Sequence, residues 1–73
     1  MTTGDEEPYV KHAIEYLKKK YGDVEVEVEE VFKYAAGIIE VSGTMRRKGE
    51  KTRRRFTVKL ESNSMRVLGF GLR

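Results

Sequence analysis

Seven basic side chains crowd into ten positions: Arg46, Arg47, Lys48, Lys51, Arg53, Arg54 and Arg55, with Glu50 the one acid among them. Guanidinium forks match the geometry of phosphate oxygens, and clustered Arg and Lys gain affinity for polyanions by releasing condensed counterions. The chemistry this stretch offers is therefore anion binding. The rest of the chain offers little else of a reactive kind. His12 is the one histidine and cysteine is absent, so nucleophile–histidine pairs have no material. Asp5, Glu6 and Glu7 read as helix-start residues, and the alternating glutamates from Glu25 onward stand about 6–7 Å apart along a strand, too far to converge on a metal ion. Gly69-Phe70-Gly71 lacks both the length and the following helix of a phosphate loop. The sequence reads as non-enzymatic, with no metal site and no cofactor.

The charge is local. The chain carries a net +3 over 73 residues, and residues 46–55 hold +6, so the remaining 63 sum to −3. One place on the surface, rather than the whole of it, is marked for an anionic partner such as nucleic acid. The competing explanation is that basic side chains keep a long hairpin solvated and discourage edge pairing. Of the aromatic residues only Phe56 lies near, and its parity points it inward, so stacking of single-stranded bases is not expected.

The elements that position this stretch follow from periodicity. Asp5-Glu6-Glu7-Pro8 opens a helix, with Asp5 as cap. Val10, Ala13, Ile14, Leu17 and Tyr21 recur at helical spacing, Lys18, Lys19 and Lys20 suit the C-terminal dipole, and Gly22 stops the helix, giving a span of about 6–21. From Asp23 the period becomes two. Val24, Val26 and Val28 alternate with Glu25, Glu27 and Glu29, and Glu30 breaks the alternation, which predicts a bulge near 29–31. Phe32 and Tyr34 are read as keeping the inward parity. Strands are expected over about 23–33, 38–48, 51–61 and 65–72. Gly43 inside the second strand predicts a kink or a close backbone approach.

Turn chemistry sets the registers. Gly49-Glu50 reads as a two-residue type II′ turn, which places Glu40 opposite Lys59, Thr44 opposite Arg55 and Arg46 opposite Arg53. Arg46, Arg53, Arg55 and Arg73 then converge on the outer face with few acids near them. A three-residue turn at Ser62-Asn63-Ser64 puts Phe56 opposite Phe70 and Val58 opposite Leu68. Val31, Ile38, Met65 and Val67 fall on the outward parity and predict a self-association surface, a homodimer through the outer sheet face or the last strand. The expected fold is α+β: one N-terminal helix packed on a four-stranded antiparallel meander, one domain over 1–73. No apolar run reaches the ~20 residues of a membrane span, and the acidic start Met1–Pro8 lacks the pattern of a signal peptide. A soluble intracellular protein is the expectation.

A helix crossing an antiparallel meander, with a long curved strand after it, resembles the cystatin-like fold. The first hairpin of that family carries Gln-x-Val-x-Gly; here Lys33-Tyr34-Ala35-Ala36-Gly37 keeps the glycine, and Ser62-Asn63-Ser64 stands where the family has Pro-Trp. The resemblance implies the helix-on-sheet architecture and, as one function reading, a protein-interaction or protease-inhibitor module. The agreement of capping, alternation and turn residues also fits an idealised or designed version of the fold, which would carry no native ligand.

Overall fold

The computed structural model describes residue 4 and residues 6–73. Helix α1 spans Glu7–Tyr21, followed by β1 (Val24–Tyr34), a 3-10 turn (Ala35–Gly37), β2 (Ile38–Arg47), β3 (Arg54–Glu61) and β4 (Val67–Leu72). The strands form one antiparallel sheet in the order β1-β2-β3-β4, as a meander requires. The fold is α+β, as the periodicity predicts. Pro8 lies in the first turn of α1, and the Gly22 amide closes the last turn by donating to the Lys18 carbonyl at 2.7 Å. The expected cap, Asp5, lies outside the described residues; Glu6 sits at the N-cap position with no side-chain capping bond.

The core is built where α1 crosses the two central strands. Ala13 and Leu17 from the helix meet Ile39, Val41 and Met45 of β2 and Phe56, Val58 and Leu60 of β3, all buried. Tyr16, Tyr21 and Phe70 extend it toward the end of the helix, with Tyr16 and Phe70 centroids 5.6 Å apart. β1 and β4 flank this centre and contribute half-buried residues.

β1 and β2 pair without interruption from Val24↔Arg47 to Val28↔Gly43, and the register then slips so that Glu30 faces Ser42. This is the bulge expected near 29–31. Gly43 is its structural partner: a Cβ there would run into the Glu27 carbonyl oxygen and stand 2.9 Å from the Val28 Cα. The close approach predicted from a mid-strand glycine is present. The bulge adds one residue, and one residue flips the face of everything after it. Val31 therefore turns inward, opposite Val41, and packs on the core, while Phe32 and Tyr34 turn outward and are 45% and 50% exposed. Both outcomes correct the expected parity.

The β2–β3 register is the one expected, with Glu40↔Lys59, Val41↔Val58 and Thr44↔Arg55. The connection differs. The ladder ends at Met45↔Arg54, and residues 48–53 form a six-residue loop rather than a two-residue turn. Its first bend is Arg47–Glu50, closed by the Glu50 amide donating to the Arg47 carbonyl at 3.0 Å, with Gly49 at the third position and φ +89°. That position needs positive φ, which glycine supplies at no steric cost.

The β3–β4 register is corrected by two residues. A four-residue loop, 62–65, replaces the expected three: the Glu61 amide donates to the Arg66 carbonyl at 2.9 Å, and Met65 takes a left-handed φ of +62°. A second slip between Lys59 and Leu60 then skips Leu68, so Leu60 faces Val67, Val58 faces Phe70 and Phe56 faces Leu72. The two single steps add to two and restore parity. Phe70 and Leu72 stay inward, Val67 packs on the core instead of facing outward, and Leu68 is expelled to 45% exposure.

Ala36 also holds a left-handed backbone, φ +66°, in an exposed turn. A non-glycine residue pays roughly 1–2 kcal/mol there, against roughly 0.5–1 kcal/mol of extra chain entropy for glycine. Ala36→Gly is thus expected to stabilise the protein by about 0.5–1 kcal/mol, read as a rise of a few degrees in a thermal melt.

Candidate functional site

The basic stretch occupies one end of the molecule, on the tail of β2, the 48–53 loop and the head of β3. Three of its seven cations are neutralised. On the outer face, Arg46 Nη2 donates to both carboxylate oxygens of Glu25, at 2.9 Å to Oε2, and Arg55 Nη1 donates to Glu29 Oε1 at 2.9 Å. Lys48 lies 3.9 Å from Asp23, both well exposed. Such exposed pairs contribute about 0–1 kcal/mol each and are readily exchanged for another anion.

The other four face no Asp or Glu carboxylate at salt-bridge distance among the described residues. Arg47 lies over the Tyr21 ring, 5.2 Å from its centroid, so a cation–π contact fixes it at the helix end. Arg53 Nε donates to Thr44 Oγ1 at 3.0 Å, and Arg54 Nε donates to the Arg73 carbonyl at 3.0 Å. Lys51 is exposed at the loop tip. These bonds hold each guanidinium by one nitrogen and leave its remaining donors available.

Arg46 and Arg53 are not cross-strand neighbours as the short turn would have made them: the ladder stops before that pair, and the two side chains turn to Glu25 and Thr44. The expected cluster of Arg46, Arg53, Arg55 and Arg73 on the outer face has glutamate partners for two of its members. Arg73 is drawn beside Arg55, whose carbonyl accepts its amide at 2.9 Å.

Two hollows adjoin these residues. A cleft of about 790 Å³ lies between the end of α1 and the β2–β3 loop, lined in part by Lys18, Arg46, Arg47, Lys48 and Glu50. Glu50 Oε1 is buried with no hydrogen-bond partner among the described residues. A smaller depression of about 460 Å³ lies on the outer face, with Ser42, Arg55, Thr57, Gly71 and Arg73 among its lining.

The four residues expected to form a self-association surface are not brought together. Val31 and Val67 pack against the core, Ile38 is half-buried opposite Tyr34 and Glu61, and Met65 sits in the 62–65 loop. Sequence reasoning missed the exposed aromatic pair, Phe32 and Tyr34, whose ring centroids are 6.3 Å apart. The signal was there in Glu29-Glu30: the break in alternation announces the bulge, and carrying its one-residue offset forward would have turned both rings outward. Tyr34 Oη donates to Glu40 Oε1 at 3.1 Å, which holds the phenol above its ordinary pKa because the carboxylate favours the protonated form.

Among the described residues no group of three or more His, Asp or Glu side chains could hold a metal ion, and no helix is long and apolar enough to cross a membrane. No family model, no curated protein and no solved structure matches this chain.

Proposed function

We propose that this chain is a non-catalytic binding domain that contacts polyanions, nucleic-acid phosphates above all, through the basic end of its sheet. The observation that carries the reading is the set Arg47, Lys51, Arg53 and Arg54: four cations at one end of the molecule, none facing an Asp or Glu side chain among the described residues. Arg46, Lys48 and Arg55 add charge around them through weak, exchangeable pairs. Solvation of a hairpin would be served equally by cations each matched to an acid, and here the unmatched ones share one end of the sheet, Arg47 and Arg54 toward the helix side and Arg53 toward the outer face.

Charge reversal tests the reading. Arg53→Glu with Arg54→Glu is expected to weaken binding of a labelled duplex by at least about tenfold at low salt, and to flatten the log–log salt slope by about 1.5–2, for two lost phosphate contacts. Lys11→Glu, on the helix away from this end, makes the same change per residue in net charge and is expected to leave affinity nearly unchanged.

A second reading is favoured by the opposite end of the sheet. The Ser62 amide donates to the Gly37 carbonyl at 2.8 Å, so the 35–37 and 62–65 connections lie side by side. We read this architecture as cystatin-like, and the paired loops as an edge for contact with another protein. Inhibition of a papain-type protease by excess protein supports it; unchanged protease activity removes the inhibitor form.

A further inference from the structure

Register, bulge and charge together place aromatic and cationic groups on one sheet face. Below the helix-covered side, the outer face can be read in rows. Nearest the basic end stand Arg46 and Arg53, then Thr44, Arg55 and Arg73, then Ser42, Thr57 and Gly71, then Phe32, Glu40, Lys59 and Gly69, with Tyr34 and Ile38 beyond. Phe32 and Tyr34 lie flat enough to each other, at 35° between ring planes, to present two neighbouring π-surfaces to solvent. Gly71, Ser42 and Thr57 leave the depression of about 460 Å³, which runs from Glu40, the cross-strand partner of Phe32, to Arg55 and Arg73. With a rise of ~3.4 Å per residue and a strand spacing of ~4.8 Å, the diagonal from Phe32 measures roughly 17 Å to Arg55 and roughly 20 Å to Arg73.

We propose that this outer face binds single-stranded nucleic acid, with unpaired bases stacking on Phe32 and Tyr34 and the backbone running across the depression to Arg55, Arg73 and Arg53. The proposal rests on the polyanion reading above and names the class of polyanion. Aromatic platforms on an open sheet, joined to a basic track, hold single strands because every base offers a π-face while the cations take the phosphates. A duplex keeps its bases stacked inside and can use only the cations. The acids on the face do not block the path. Glu25 is held by Arg46, and the exposed Arg55–Glu29 pair is weak enough to exchange for a phosphate. Glu27 and Glu30 lie on the β1 edge beside the path, and Glu61 stands beyond it opposite Ile38, accepting from the Ser64 hydroxyl. Glu40, already accepting from Tyr34, lines the depression as an acceptor suited to a base N–H donor.

The test compares three proteins, the parent, Phe32→Ala with Tyr34→Ala, and Phe32→Tyr with Tyr34→Phe, against labelled oligothymidine and oligouridine of about ten nucleotides and against a duplex. Both residues are about half exposed, and circular dichroism checks that each variant keeps the parent's fold. The double alanine variant is expected to lose about 10- to 100-fold in single-strand affinity, for one or two lost stacks, and nothing in duplex affinity. The aromatic-for-aromatic variant is expected to bind as the parent does. Loss confined to either oligonucleotide supports the proposal and tells a DNA partner from an RNA one. If the parent binds with strong salt dependence but the alanine variant matches it, or loses single strand and duplex alike, the aromatic platform is overturned and the phosphate reading stands. If the parent binds neither nucleic acid at low salt, both fall.

Discussion

Gly43→Ala is expected to destabilise the fold by about 3 kcal/mol or more, the upper range for a side chain forced into a filled site. For a domain of this size that is a fall of roughly 12–24 °C in midpoint. The added methyl would meet backbone on the neighbouring strand, the Glu27 carbonyl and the Val28 Cα, rather than the movable end of a side chain. Relief would require β1 to lift from β2 just where the bulge begins, breaking the pairing that turns Val31 inward. Gly43→Val should fail to give a cooperative thermal transition. Gly71→Ala, where a Cβ meets nothing within 4 Å, is the matched comparison and should stay within about 1 kcal/mol of the parent. A Gly43→Ala variant that melts like the parent would mean that β1 and β2 do not approach as described.

Phe56→Ala should cost about 3–5 kcal/mol. Phe56 is 1% exposed and among the largest fully buried side chains, between Gly43 on β2 and Leu72 on β4. Chains of this length have roughly 4–11 kcal/mol of stability in all, so the variant loses much or most of it. Leu68→Ala separates the two β3–β4 registers. Under the register read from the sequence, Leu68 faces Val58 in the core and its truncation would cost about 2–5 kcal/mol. Under the observed register it is the expelled bulge residue, and urea denaturation should find a change within about 0.5 kcal/mol.

The contrast at Leu68 shows how far the chain could be read without coordinates. Periodicity carries the helix, the four strands and their order, because burial on one face forces alternation and a 3.6-residue repeat. Glycine chemistry carries the close approach at Gly43. The β2–β3 register also survives, although its turn does not: the stretch left unpaired between the two strands, 46–53, is still centred on Gly49-Glu50, so the opposed residues are unchanged. What escaped was single-residue irregularity. The bulge at Glu29 was visible as a break in pattern, but its consequence, outward Phe32 and Tyr34, depends on counting one extra residue through to the strand's end. The offset at Leu68 has no such mark, since Met65, Val67 and Leu68 are all apolar and any of them could face the helix.

The candidate site was legible in composition and not in pairing. A run of seven cations in ten positions is plain in the sequence, but which of them are matched depends on where β1 lays its glutamates. The structure gives Glu25 to Arg46 and Glu29 to Arg55, so the unmatched set shifts toward Arg47, Lys51, Arg53 and Arg54. The aromatic groups that give the face its second chemistry lie a dozen or more residues away along the chain and reach it only through the bulge.

The most direct test of the central claim is the salt dependence of nucleic-acid affinity, followed by anisotropy of a labelled oligonucleotide from low salt up to about 0.15 M, where the screening length has shrunk to about 8 Å. If the four unmatched cations each release a counterion, log affinity should fall linearly with log salt at a slope of about −3. Absence of binding at low salt, or an affinity that does not change with salt, would contradict it.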